Sequence, residues 1–92
     1  MPEVDRPVPE NILVINAGSS SLKFTMFCMV EEKIRAKGIV ERIGLREPYL
    51  RYERFDGRDL KEQAKITNHD EALRLVCDKL VDPEVGVLES LK

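Results

Sequence analysis

Ile12-Leu13-Val14-Ile15-Asn16-Ala17-Gly18-Ser19-Ser20-Ser21-Leu22-Lys23-Phe24 is the stretch that decides how this chain folds. Its first four residues are apolar and three of them are β-branched. That composition predicts a strand over residues 11–16, buried on both faces and central in its sheet. Ala17-Gly18-Ser19-Ser20 then breaks the pattern with small residues, as a tight turn requires. Alternation resumes at Ser21 and runs to Met29. Leu22, Phe24, Met26 and Cys28 fall on one face of this second strand, and Ser21, Lys23 and Thr25 on the other.

The turn between the two strands carries the chemistry. Gly18 and the serines expose backbone N–H groups in a small space, and three hydroxyls add donors that rotate to suit an oxyanion. Lys23 follows Ser21 on the same strand face and adds a positive charge. Asn16 ends the preceding strand and aims a neutral amide at the same mouth. Donors and a cation converging on a concave turn make a phosphate cradle. The string is not a P-loop, which needs a second Gly directly before the Lys and a helix after it. Composition alone also allows a polar hairpin turn beside an ordinary surface lysine.

Outward from this hairpin, residues 33–43 alternate again, with Ile34, Ala36, Gly38 and Val40 on one face and Lys33, Arg35 and Lys37 on the other. The result is a three-strand antiparallel meander. Residues 49–55 and 60–66 form a further hairpin across Asp56-Gly57. Both runs are heavily charged, which places them at the periphery. Residues 68–80 read as a helix. Asn68 caps it, with Glu71 three residues on as in a capping box. Asp70 and Glu71 suit its positive end and Lys79 its negative end. Ala72, Leu73, Val76, Cys77 and Leu80 form its apolar stripe, and Asp70 and Arg74 are spaced to pair. Asp82-Pro83 stops it. Residues 87–92 read as the start of another short helix. Val85, Val87, Leu88 and Leu91 are apolar residues without an evident partner layer, which points to an N-terminal piece of something larger. Residues 1–10, with Pro2, Pro7 and Pro9, read as a disordered lead-in.

Composition bounds the function. The chain has 92 residues, 15 basic and 17 acidic, for a net charge of -2. That suits one small domain with a modest core and argues against non-specific binding to nucleic acid. The longest apolar run, Met26 to Val30, is far short of the ~20 residues of a spanning helix. Residues 1–10 lack the apolar stretch of a signal peptide. Cys28 and Cys77 form no CxxC, and with one histidine no zinc site can be assembled, so both read as buried, reduced thiols of a cytoplasmic protein. Met26 and Cys28 share the apolar face with Phe24 and read as core packing, not as a soft-metal site. Tyr49, Tyr52 and Phe55 among arginines do not make a nucleic-acid platform at this net charge.

The full string from Val14 to Phe24 resembles the N-terminal signature of the acetate kinase family, within the acetate and sugar kinase/actin-like superfamily. Sugar kinases of that superfamily usually carry Asp where this chain has Asn16, which narrows the match towards acyl kinases. Asn68-His69-Asp70-Glu71-Ala72-Leu73 is similar to the start of the family's first long helix. The resemblance covers residues 11–92. It implies an α/β fold: an antiparallel meander opening a mixed sheet with a helix packed on it, part of an actin-like, ribonuclease H-like ATPase domain. It implies reversible transfer of the terminal phosphoryl of ATP to acetate, giving acetyl phosphate and ADP. Propionate and butyrate are alternative acceptors.

Residue by residue, the resemblance implies that Asn16 is catalytic, near the transferred phosphoryl and its Mg²⁺. Gly18, Ser19 and Ser21 belong to the phosphate-binding turn, with Ser20 shaping it. Lys23 is catalytic and neutralises phosphoryl charge or orients the loop. The parent protein is expected to be a cytoplasmic homodimer that uses Mg²⁺, with ATP/ADP and a short carboxylic acid as partners and neither nucleic acid nor membrane. Family members are several times longer. Their catalytic arginines and histidines, acidic Mg²⁺ residue and adenosine pocket lie further along, and the chain stops before their Gly-His-Arg motif. Arg46, Arg51, Arg54 and Arg58 sit in surface-like charged stretches. His69, at a helix start, reads as a surface residue and no substitute for the family's histidines. The chain is thus expected to hold one wall of a phosphoryl-transfer site and to be inactive alone. Readings from other classes are a complete, non-catalytic phosphate- or nucleotide-binding module and a purely structural domain with a polar hairpin.

Overall fold

The alternation read from the sequence folds into one sheet with a helix across it. A computed structural model describes residues 11–88. The strands are β1 (Asn11–Ala17), β2 (Ser21–Cys28), β3 (Lys33–Glu41), β4 (Tyr49–Arg54) and β5 (Asp59–Gln63), followed by α1 (His69–Leu80). They lie in chain order β1-β2-β3-β4-β5, and every pairing is antiparallel. Short connections favour such a meander. The parallel part of the expected mixed sheet is not among the described residues.

Period-two alternation separates the two faces. The inner face carries Leu22, Phe24 and Met26 from β2, Ala36 and Val40 from β3, and Leu50 and Tyr52 from β4, all buried. Ala72, Val76 and Leu80 of α1 close over them. The rings of Phe24 and Tyr52 lie 6.0 Å apart. Burial of each large side chain contributes about 1.5–3 kcal/mol. The helix starts as predicted: the Asn68 side chain accepts from the Glu71 amide at 2.8 Å. The carboxylate of Glu71 reaches back to the N–H and hydroxyl of Thr67, at 2.7 and 2.6 Å, so the box closes one residue earlier than expected. Those two hydrogen bonds hold the Glu71 carboxyl below its ordinary pKa. At the other end Lys79 pairs with Glu62 of β5 at 2.6 Å.

Several expectations are corrected. Among the described residues β1 is an edge strand, paired only with β2, and Ile12, Val14 and Ile15 are exposed. Apolarity on both faces reports the neighbours a strand is built for. Among the described residues no strand lies beyond β1 and no layer covers its outer face. β4 is not peripheral, since Leu50 and Tyr52 are buried while Arg51 and Glu53 turn outward. Ile34 leaves the core face because the register shifts between Met26 and Phe27, leaving Arg35 unopposed and pairing Ile34 with Phe27. On α1, Leu73 is exposed, and Leu75 instead packs against the core. Among the described ion pairs Asp70–Arg74 does not occur.

Residues 81–88 are not helical, and Val85, Val87 and Leu88 do find a layer. They pack against the core, the amides of Val87 and Leu88 bond to the Leu80 carbonyl, and the Tyr52 hydroxyl donates to the Val85 carbonyl at 2.8 Å. The expected lead-in over residues 1–10 and the end of the expected last helix lie outside the described residues.

Candidate phosphate-binding site

The β1–β2 register sets the site. Asn16 stands directly opposite Lys23, and Ala17 opposite Leu22. Leu22 points into the core, so Lys23 and its neighbours Asn16 and Ser21 take the outer face. The turn itself is closed by the Gly18 amide donating to the Ser21 carbonyl at 2.8 Å. Gly18 leaves room for the Ser21 hydroxyl: a Cβ on it would lie 2.8 Å from that oxygen, which would have to move aside. Gly18 and Ser19 are exposed, Ser20 and Ser21 half-buried, and Asn16 and Lys23 exposed. The fold therefore brings Asn16, Gly18, Ser19, Ser21 and Lys23 together at one end of the sheet.

Two features escaped the sequence reading. The first is a cross-strand row. Through successive registers Lys23 faces Ile39, Ile39 faces Arg51, and Arg51 faces Lys61. With Thr25 and Lys37 these residues line an open groove of about 480 Å³ that starts at Lys23. Arg51 is exposed, as expected, but its alignment with Lys23 depends on strand pairing; its alternation with Leu50 and Tyr52 was the available signal. Glu53 and Asp59 also line the groove, so its charge is mixed. The second feature is His69. It is not a free surface residue: its Nε2 lies 2.7 Å from the Gly18 carbonyl and 3.2 Å from that of Ser21. No signal within the sequence pairs these positions.

Mg²⁺ takes a near-octahedral shell of oxygens. Among the described residues no three His, Cys, Asp or Glu side chains cluster. Glu41, opposite Ser21, is engaged by the Tyr49 hydroxyl at 2.6 Å. The Asn16 amide oxygen offers one ligand, so these residues do not build a Mg²⁺ site by themselves. Cys28 is buried and Cys77 half-buried, and both are free thiols; burial pushes the Cys77 thiol up from its ordinary pKa. No helix among the described residues is long and apolar enough to cross a membrane.

A five-stranded antiparallel meander with a helix across it, whose first two strands are joined by a hydroxyl-rich turn with a lysine facing an asparagine beside it, is the opening of an actin-like ATPase fold. Comparison with known proteins narrows the class. The Acetokinase family model matches residues 11–91. The acetate kinase of Coprothermobacter proteolyticus is 47% identical over 81 residues, spanning 88% of this chain and 20% of that protein. The acetate kinase of Methanosarcina mazei is 45% identical over 80 residues, spanning 87% and 20%. The crystal structure of Porphyromonas gingivalis acetate kinase superposes with a TM-score of 0.85 at 28% identity, covering 90% of this chain and 21% of that one. A propionate kinase from Francisella tularensis shares the fold, with a TM-score of 0.71 at 22% identity. The chain belongs to the acetokinase family and corresponds to its N-terminal segment, about a fifth of the length of the curated relatives it matches.

Proposed function

We propose that this chain forms the phosphate-binding wall of an acetate kinase, which transfers the terminal phosphoryl of ATP to acetate and runs in reverse. The observation that carries the reading is the placement of Lys23 opposite Asn16, beside the hydroxyl-rich turn. Phosphoryl transfer demands positioning and charge stabilisation and little covalent chemistry from the protein. The hydroxyls of Ser19 and Ser21 donate to phosphate oxygens, and Gly18 leaves room for the Ser21 hydroxyl. The Lys23 ammonium offsets the charge that develops on the transferred group. Asn16, being neutral, approaches the same group without repelling it, and its amide oxygen would offer one ligand to a Mg²⁺ accompanying the nucleotide. The relatives' names support acetate as the acceptor. The full enzyme is a cytoplasmic homodimer on this reading, and residues 11–92 belong to one domain completed by later sequence.

The test is acetyl phosphate formation from Mg-ATP and acetate by a full-length acetokinase carrying residues 11–91. Lys23→Ala and Ser21→Ala, both on the outer face, are expected to lower turnover while leaving the fold intact. Parental turnover in both variants sinks the assignment. The 92-residue chain alone is expected to form negligible acetyl phosphate, since one wall does not assemble an acceptor site.

A further inference from the structure

The carbonyls of the turn are held from behind. His69 Nε2 engages the Gly18 carbonyl at 2.7 Å and the Ser21 carbonyl at 3.2 Å. The Ile43 amide donates to the Ser20 carbonyl at 2.9 Å, and the Gly18 amide to that of Ser21. Both partners of Nε2 are acceptors only, so this nitrogen carries the proton. Among the described residues, the amides of Ser19 and Ser20 donate to no protein acceptor.

The described chain has no cis peptide bonds. In a trans peptide the N–H points opposite to the C=O of the same unit. Holding the Gly18 carbonyl against His69 therefore turns the Ser19 N–H away from α1. Holding the Ser20 carbonyl against Ile43 turns the Ser21 N–H in the opposite direction in the same way. A phosphate is bound by N–H groups and repelled by carbonyls, so the orientation of these peptide units decides whether the turn binds an anion.

We infer that His69, the first residue of α1, is a positioning residue: its Nε2–H clamps the Gly18–Ser19 peptide and aims the Ser19 N–H at the phosphate. The inference rests on the phosphate reading of the turn. His69 touches neither substrate nor reacting atoms. It acts through the backbone, from 51 positions away in the chain. The Ile43 amide does the same for the Ser20–Ser21 peptide, but as a backbone group it cannot be removed by a side-chain substitution, which leaves His69 as the testable clamp.

The experiment uses the 92-residue chain labelled with ¹⁵N, inorganic phosphate as the probe, and the variants His69→Gln and His69→Ala. In the wild type the neutral imidazole is expected to show a protonated Nε2 and a bare Nδ1. Phosphate is expected to shift the amide resonances of Ser19 and Ser21. His69→Ala frees the peptide and is expected to weaken phosphate binding about threefold to tenfold, the worth of one hydrogen bond. His69→Gln supplies a side-chain N–H and is expected to restore binding to within about twofold. A role confined to helix stability would not give this split between the two variants. A neutral ring protonated on Nδ1, or His69→Ala binding phosphate as tightly as the wild type, overturns the inference. Should His69→Ala not fold, the ring tautomer and the Gln variant decide. Should the wild type take no phosphate, the phosphate reading fails. The clamp is then judged on the Ser19 amide resonance: displaced in His69→Ala and restored in His69→Gln supports it, and unmoved in both overturns it.

Discussion

The two hairpin turns at residues 18–21 and 55–58 are similar in length and opposite in construction. The second reverses the chain through bonds of its own, and its one backbone bond to a distant element is donated by the Phe55 N–H to the Arg35 carbonyl. Arg54 N–H donates to the Arg58 carbonyl at 2.7 Å, Gly57 N–H to the Arg54 carbonyl at 3.0 Å, and Arg58 N–H to the Asp56 carboxylate at 3.2 Å. Gly57 sits at φ 88°, where other residues are strained. The first turn has one internal backbone bond, and three of its carbonyls are engaged from distant parts of the chain, that of Ser20 by Ile43 and those of Gly18 and Ser21 by His69. A turn that only reverses the chain needs local chemistry. A turn that must present particular N–H groups needs its carbonyls controlled from outside, and that control comes from elements it does not belong to.

The largest expected effect tests this division directly. In a full-length acetokinase carrying residues 11–91, Lys23→Ala beside the first turn should lower turnover about 10²–10³-fold, the usual cost of one preorganised charge-stabilising group. Asp56→Ala in the second turn should leave turnover unchanged in the same acetyl phosphate assay. Both turns depend on the shared core, so Tyr52→Ala should cost about 3–5 kcal/mol of stability, enough to unfold a domain this small. Tyr52→Phe, which loses only the bond to the Val85 carbonyl, should cost about 1 kcal/mol; denaturant titration of the 92-residue chain measures both. The two glycines should dissociate. Gly57→Ala should cost about 1–2 kcal/mol of stability through its positive φ and leave phosphate binding intact. Gly18→Ala should displace the Ser21 hydroxyl and weaken phosphate binding more than it lowers stability.

The smallest effect concerns the helix start that carries His69. The Glu71 carboxyl is held low by Thr67, and that of Asp82 by the amides of Glu84 and Val85. Groups depressed in the folded state contribute stability that is complete above their unfolded pKa, about 4, and is lost as pH falls through their folded values. Acid titration by NMR should find both carboxyls below their ordinary values. Glu71→Gln should reduce the pH dependence of stability in that acidic window and leave it unchanged near neutrality. A Glu71 carboxyl titrating at its ordinary value would mean that the cap does not form in solution.

How much of this was legible depended on the range of the interaction. Alternation in residues 21–29 correctly put Leu22, Phe24 and Met26 inside and Ser21 and Lys23 outside, because strand periodicity is a property of the local backbone. Asn68 and Glu71 announced the helix start for the same reason. The Asp56-Gly57 turn was visible because the bonds that reverse the chain there lie within the turn. Ile34 was misplaced because a bulge depends on how two strands register, and β1 because burial depends on what lies beside and above a strand. Arg51 joined the outer-face row only once four strands were paired.

The sequence by itself determined the strands, the turns, the helix cap and the resemblance that names Asn16, Ser19, Ser21 and Lys23. Each of these is written in contacts a few residues long. Only the tertiary structure decided that β4 lies inside the sheet and that Asn16 faces Lys23. It also decided that His69 and Ile43 hold the carbonyls of a turn they are far from in the chain. The reason is that hydrogen-bond partners contributed by separate elements are chosen by how the whole sheet and its helix pack, and no local pattern in the chain encodes that choice.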